Sequence, residues 1–598
     1  MVIKLPTREE IPDQHKWRLE DIYASDAAWE RDFQKVRIMA KEIHAFRGRL
    51  GESAKVLLET LRAEERLQQL NEKIYAYARM RRDEDNTNSI YQALTDRADS
   101  LSTEAQTSVS FILPEILALP EETLAGFRQV ERGLDLYEFA FEEIMRSKDH
   151  TLSPAEERII AQAGEVTEAP SNIFKMVNNA DITFEPIEDE RGVRVEVTHG
   201  RYTHLMESRD RRVRRDAFTS MYGSYQRLKN TLAATISSSV RRDIFYARVR
   251  KYPSALQASL FEDNINPEVY DELIETVRRN NGAMQRYVDL RRRMLGLDEL
   301  HMYDLYVPLA GEVEWDIPYT ESVEIIKKAL APLGNSYGEV LARGLATGWV
   351  DIYENKGKSS GAYSWGPYGT HPYILMNYQN NLNNLFTLAH EMGHAMHSYY
   401  AFKEQPYIYA HYKIFTAEVA STVNECLLMD YLLKTVTEPD KKLYLLNHYL
   451  EQFRGTVFRQ TMFAEFEKII HFKIEAGEAL TPDLLGEIYH QLNLDYYGPG
   501  IVVDRNIDLE WARIPHFYEA FYVYKYATGF SAAVALSRQI LTEGEPAVAR
   551  YLDFLKSGGS DYPLDLLKAA GVDLSTPLPV QEGLDLFATL LDQVEALK

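Results

Sequence analysis

Residues 386–400 read FTLAHEMGHAMHSYY, and His390, Glu391 and His394 within them form H-E-x-x-H. The flanking Leu382, Leu385, Leu388, Ala389 and Ala395 are good helix formers, and no proline interrupts them. On a helix, residues i and i+4 project from one face about one turn apart, so both imidazoles can reach a single ion. Glu391, next along the chain, points beside that ion, where a carboxylate can act on water. Gly393 costs about 1 kcal/mol relative to alanine in a helix interior, so its presence predicts close packing against another helix or the ion. The bland alternative is a pair of histidines on a solvated helix face. It is disfavoured because His371, His390, His394, His397 and His411, a third of the 15 histidines, fall within 41 residues.

A catalytic zinc commonly takes three protein ligands and keeps an open position. Two residues compete for the third place. His397 lies seven residues after His390 on nearly the same face, but three ligands along one straight helix give poor tetrahedral geometry. Glu418 is the better candidate. It lies in a second helical run, FTAEVASTVNECLLMDYLL (415–433), whose small residues Ala417, Ala420 and Ser421 let two helices approach. His397 then reads as a supporting or substrate-contacting group, or as a plain buried histidine. Glu425, seven residues after Glu418, can accept the free N–H of a ligating imidazole or make an ordinary helix ion pair.

Outward from these two runs the chain reads as mainly α. No proline occurs between Pro12 and Pro114, and Leu67, Leu70, Ile74 and Tyr77 recur at three- and four-residue steps, the mark of an amphipathic helix. Residues 209–250 form a second proline-free block. Residues 319–345 and 422–477 share the helical period, with breaks expected at Pro332 and Pro439. Two stretches depart from it. Residues 181–198 alternate apolar and polar about Gly192, as a hairpin does. In residues 363–378, YSWGPYGTHPYILMNY, the run PYILMNY reads as a short strand. That strand either holds a peptide by edge pairing or is purely structural. The expected organisation is three consecutive regions. These are a helical region 1–180, a hairpin-plus-helical region 181–350, and a region 351–598 carrying the H-E-x-x-H helix. Without linkers or internal repeats, they form one continuous unit.

Of the 598 residues, 45% are hydrophobic and 26% charged, the balance of a soluble globular chain with a large core. Ninety acidic residues against 67 basic ones give a net charge of -23, which repels phosphate backbones and anionic membranes. Neither nucleic acid nor a membrane is an expected partner. The single cysteine, Cys426, excludes an intrachain disulfide and a cysteine-based zinc site. The opening MVIKLPTREEIPDQHKW lacks the apolar run of a signal peptide, and no apolar stretch reaches 18 residues, so a cytoplasmic location is expected. Oligomeric state has no signature here.

HEMGHAMH, followed 24 residues after His394 by the glutamate of AEVASTVNE, resembles the thimet oligopeptidase family of zinc metallopeptidases, its bacterial oligoendopeptidase F branch above all. The opening LPTREEIPDQHKWRLEDIYASDAAWERDF, the middle VTHGRYTHLMESRDRRVRRDAF, KGKSSGAYS, FRQTMFAEFE and WARIPHFYEAFYVYKYATGFSAA are similar to that branch too, so the likeness spans nearly the whole chain. The resemblance implies an almost all-α, clam-like molecule with a deep central channel. One zinc ion sits at its floor, where only short peptides reach it. It implies His390, His394 and Glu418 as zinc ligands and Glu391 as general base. A histidine and tyrosines on a late segment are implied to stabilise the transition state. In PHFYEAFYVYKY (515–526), His516 and Tyr522 match best and Tyr518 follows, while Tyr524 and Tyr526 stay open as substrate contacts. By residue type alone, such tyrosines are as readily core or groove lining. The expected activity is zinc-dependent hydrolysis of internal bonds in short oligopeptides. Its rivals are a zinc exopeptidase of the same class and a non-catalytic helical peptide-binding protein with structural zinc.

Overall fold

The computed structural model describes residues 4–311, 313 and 315–597. Helices dominate, and eight of them matter to the site: α1 (Ala54–Glu84), α2 (Ser89–Val109), α3 (Arg211–Val249), α4 (Gly334–Ala346), α5 (Leu382–Glu404), α6 (Ile414–Thr435), α7 (Arg459–Glu475) and α8 (Tyr524–Glu543). The strands are short: β1 (Ile187–Glu188), β2 (Arg194–Val195), β3 (Leu300–His301), β4 (Val350–Asp351), β5 (Tyr363–Trp365), β6 (Tyr373–Leu375) and β7 (Ile501–Val502). Among the described residues no helix is long and apolar enough to cross a membrane.

Internal contacts divide the chain into two units. The first comprises Met1–Lys148, Trp315–Tyr431 and Leu536–Gly571, and the second Asp149–Glu314, Leu432–Ala535 and Val572–Lys598.

In the first unit the apolar period of the proline-free N-terminal stretch becomes α1 and α2. Ser53 caps α1 by accepting the Val56 N–H, and Asn88 caps α2 by accepting from Ile90 and Tyr91. Leu67, Ile74 and Tyr77 turn inward and are buried. The Pro332 break separates a helix at Tyr319–Ala329 from α4. The three-stranded sheet has the order β4-β6-β5, with β4 parallel and β5 antiparallel to β6. It packs beside α5, as the small sheet expected near the histidine helix. β6, the PYILMNY strand, is its central member, bonded on both sides, and therefore has no edge to offer a peptide. The edge strand beside α5 is β5.

A buried charge cluster ties this sheet to the N-terminal segment. The side chain of Lys358, from KGKSSGAYS, is fully buried. It donates to the carbonyls of Asp351 (3.2 Å), Tyr353 (2.7 Å) and Met376 (2.5 Å) and pairs with the Asp351 carboxylate at 2.7 Å. Arg8 pairs with Asp351 and Glu84, and the Trp17 indole N–H donates to Glu84 at 2.7 Å. Burial alone would raise the Asp351 pKa, but Lys358 and Arg8 hold it below the ordinary carboxylate value. Each buried charge thus has a partner, which burial demands.

In the second unit residues 209–250 form the single 39-residue helix α3. The hairpin about Gly192 (φ +74°) is present, but β1 and β2 pair over only two residues each. The preceding extended chain bonds to α3 instead: Ser224 donates to the Thr183 carbonyl and Ser220 to the Glu185 carbonyl, both at 2.6 Å. Hydroxyls of a helix have taken the place of a strand partner.

Candidate metal centre

Asn381 starts α5 by accepting the Asn384 N–H, and the 3.6-residue period then places His390 and His394 one turn apart. α6 crosses α5 at Gly393. A Cβ there would lie 2.5 Å from the Ser421 Cα and 2.7 Å from the Ala420 carbonyl oxygen, so only glycine allows the approach. The close packing expected at Gly393 is therefore packing against a helix. Asn424, fully buried, reinforces the crossing by donating to the Ala389 carbonyl at 3.0 Å while accepting the Tyr337 hydroxyl of α4 at 3.0 Å. The sequence reading passed over Asn424. Its only signal was an amide within an otherwise apolar helix face.

The crossing brings three donor atoms together. His390 Nε2 and His394 Nε2 lie 3.2 Å apart, and Glu418 Oε2 is 3.4 Å from the first and 3.6 Å from the second. Among the described residues, these three form a group able to hold a metal ion. The edge of a tetrahedron with metal–ligand bonds of about 2.0–2.1 Å is about 3.3–3.4 Å, so the triangle fits a zinc-sized ion without rearrangement. His390 Nδ1 meets Glu425 Oε1 at 2.5 Å, which fixes the tautomer that leaves Nε2 as an electron-pair donor.

The field at this point favours positive charge. Burial alone would lower the His390 pKa, but hydrogen bonds to Glu418 and Glu425 push it up to about 10. Hydrogen bonds to His390 and His394 hold the Glu418 carboxyl well below its ordinary range. Glu391 is buried on the same helix, and burial raises its pKa.

His397 does not join the triangle. Its ring stacks on Tyr412 at 3.7 Å between centroids and lies against Phe554, it is 1% exposed, and burial lowers its pKa to about 3. His371 stacks on Trp349 and bonds to Asp21, and His411 pairs with Glu72. The sequence clustering of five histidines thus resolves into two that converge and three that serve packing or ion pairs.

The second unit sorts residues 516–526 into two sets. His516, Tyr522 and Tyr526 are half-buried and mutually packed. The His516 and Tyr522 rings stack at 6.0 Å and 10°, and Tyr526 stands edge-on to both, its hydroxyl 3.3 Å from His516 Nε2. Burial lowers the His516 pKa, which favours a neutral imidazole. Tyr518 and Tyr524 are buried instead. The Tyr518 ring stacks on Phe174 and its hydroxyl bonds to Thr235 at 2.9 Å, while the Tyr524 ring packs on Tyr270.

Comparison with known proteins bears on these features. Residues 204–586 match Peptidase family M3, and residues 115–184 match Oligopeptidase F. The chain is 50% identical to oligopeptidase PepF of Bacillus subtilis, over 99% of this chain and 89% of that one. The crystal structure of oligoendopeptidase-F from Enterococcus faecium superposes with a TM-score of 0.74 at 38% identity, covering 96% and 99% of the two chains. A Chlamydophila abortus protein superposes with a TM-score of 0.94 at 36% identity over the whole of both chains. Matches of this length and identity, around a helix crossing whose three donors could hold a metal ion, mean that the chain is a metallopeptidase belonging to peptidase family M3.

Proposed function

We propose that the chain is a zinc-dependent endopeptidase acting on short oligopeptides. The observation that carries this reading is the donor triangle of His390, His394 and Glu418, with a buried carboxylate, Glu391, beside it. Two imidazoles and a carboxylate are a common catalytic zinc set. Zinc bound there would lower the pKa of water toward about 7 and polarise the scissile carbonyl.

The chain's own residues supply the rest. Glu425 holds the His390 ring and its tautomer. Glu391 takes a proton from the attacking water on a carboxylate oxygen and delivers it to the leaving amine nitrogen, so that water and a peptide bond become an acid and an amine. The edge of β5 holds extended substrate through backbone hydrogen bonds, which accept any sequence. His516 and Tyr522 donate hydrogen bonds to the carbonyl oxygen as it gains charge, a role resting on the family resemblance. Tyr526 orients His516 through its hydroxyl.

Metal analysis followed by mass spectrometry of acetylated, amidated peptides of graded length tests the reading. Internal cleavage with one zinc per chain is expected. Trimming of free-ended peptides alone would indicate an exopeptidase, and zinc without hydrolysis a structural site.

A further inference from the structure

The bend that carries Tyr522 is held by side chains from three helices. Arg242 of α3 donates to the Tyr518 carbonyl at 2.9 Å. Ser259, on a short helix at Ala255–Phe261, donates to the Ala520 carbonyl at 3.0 Å. Glu467 of α7 accepts the Phe521 N–H through Oε1 at 3.1 Å. Farther on, Lys525 pairs with Asp263 at 2.7 Å.

Phe521 is the reversal point. Its φ is +56°, in the left-handed region that a bulky residue enters only when its surroundings impose it. It is 1% exposed, edge-on to Tyr270 and 4.5 Å from the His471 ring. Those contacts fix its ring, and Ser259, by donating to the Ala520 carbonyl, holds one side of the Ala520–Phe521 peptide plane. Glu467 Oε1 holds the other side of that plane, as the acceptor of the Phe521 N–H.

Glu467 is itself anomalous. It is a glutamate with 0% exposure, its Oε2 has no hydrogen-bond partner among the described residues, and no basic side chain pairs with it. The charged groups near it are Asp243, itself paired with Arg242 and His471, and the nearby hydroxyl belongs to Tyr270. Burial raises its pKa well above the ordinary value. A leucine would satisfy the packing at far lower cost than an unpaired carboxyl. Its use is therefore to be sought in the one bond it makes.

We propose that Glu467 is a positioning residue: by fixing the Phe521 peptide in its left-handed conformation, it sets the stacking of Tyr522 on His516. This rests on the assignment of His516 and Tyr522 as oxyanion donors.

The test compares Glu467→Gln with Glu467→Leu, in the native chain and in a background carrying His516→Ala and Tyr522→Phe. The measured quantities are kcat and KM on an end-blocked peptide, zinc content and the thermal midpoint. Gln keeps a neutral acceptor, and it is expected to retain kcat within about threefold. Leu is expected to lower kcat at least about tenfold with KM and zinc content little changed, a fraction of the loss of a whole oxyanion donor. In the doubly substituted background the same Leu change should lower kcat no further. An unchanged kcat in Glu467→Leu overturns the proposal, as does an equal loss in both backgrounds. If Leu does not fold, Glu467→Ala replaces it under the same criteria. Unfolding of both would overturn the proposal in favour of a purely structural acid. Should Tyr522→Phe and His516→Ala themselves leave kcat unchanged, it is the underlying donor assignment that fails, independently of Glu467.

Discussion

Gly393 of α5 and Ser421 of α6 meet backbone to backbone: a side-chain carbon on Gly393 would fall 2.5 Å from the Ser421 Cα. This contact lies one residue before His394 and three after Glu418, so it sets how far the carboxylate stands from the imidazoles. A methyl group cannot be absorbed by a flexible neighbour here, because the neighbours are backbone atoms.

Gly393→Ala should therefore push the helices apart. The expected cost is about 1–3 kcal/mol of stability, as for other overpacked sites, together with weaker metal binding. Thermal denaturation and a competitive zinc titration measure the two effects. Native values for both would show that the crossing tolerates the extra atom.

Removing a converging donor should act on the metal before it acts on the fold. Glu418→Ala is expected to lose stoichiometric zinc after dialysis against a weak chelator. Glu425→Gln should keep the ligands and lower zinc affinity by roughly 10–100-fold, the usual effect of loosening a ligating imidazole. Elemental analysis across a chelator series reads both. Unchanged zinc content in Glu418→Ala would transfer the third ligand elsewhere.

Glu391→Gln should separate chemistry from binding. The amide preserves shape but accepts no proton, so kcat should fall by roughly 10²–10⁴-fold while zinc content and thermal midpoint stay close to native. Turnover near the native rate would remove Glu391 from the proton path.

Acid stability should depend on Glu510 of the second unit. Burial alone would raise its carboxyl, but Arg459 (2.7 Å), Arg513 and the Tyr489 hydroxyl (2.5 Å) hold it down to about 2. A depressed folded pKa contributes stability that is fully present above the unfolded value of about 4.3 and is lost as pH falls toward 2, roughly 2–3 kcal/mol in all. Denaturant melts from pH 6 to pH 2 should show this slope, and Glu510→Gln should flatten it while lowering stability at pH 6. A parallel pH profile in the variant would show that the carboxyl is not held down.

How much of this was legible beforehand follows the range of the interactions. Helix periodicity is local, so α1, α3 and α5 and the breaks at Pro332 and Pro439 could be read from residue spacing. The convergence of His390 and His394 is an i, i+4 relation and equally local. The PYILMNY strand was legible, but its place in the sheet was not. Whether β6 is an edge depends on β4 and β5 pairing with it, and alternation along one strand carries no record of its neighbours. The Arg8–Asp351 pair escaped for the same reason, since an ion pair across 343 residues leaves no periodic trace, and Lys358 joins it from an irregular segment that has no period to read.

The amino-acid order alone determined the helical class, the shared face of two imidazoles and the small residues that let a second helix come near. Which tyrosines of residues 516–526 stay half-open and which sink into the core was decided only when α3, α7 and the loop packed together. Tyr518 and Tyr522 are chemically identical and four residues apart, yet one spends its hydroxyl on Thr235 while the other stacks on His516. That distinction arises from a left-handed turn at Phe521, a conformation that its own side chain disfavours and that contacts from distant segments impose.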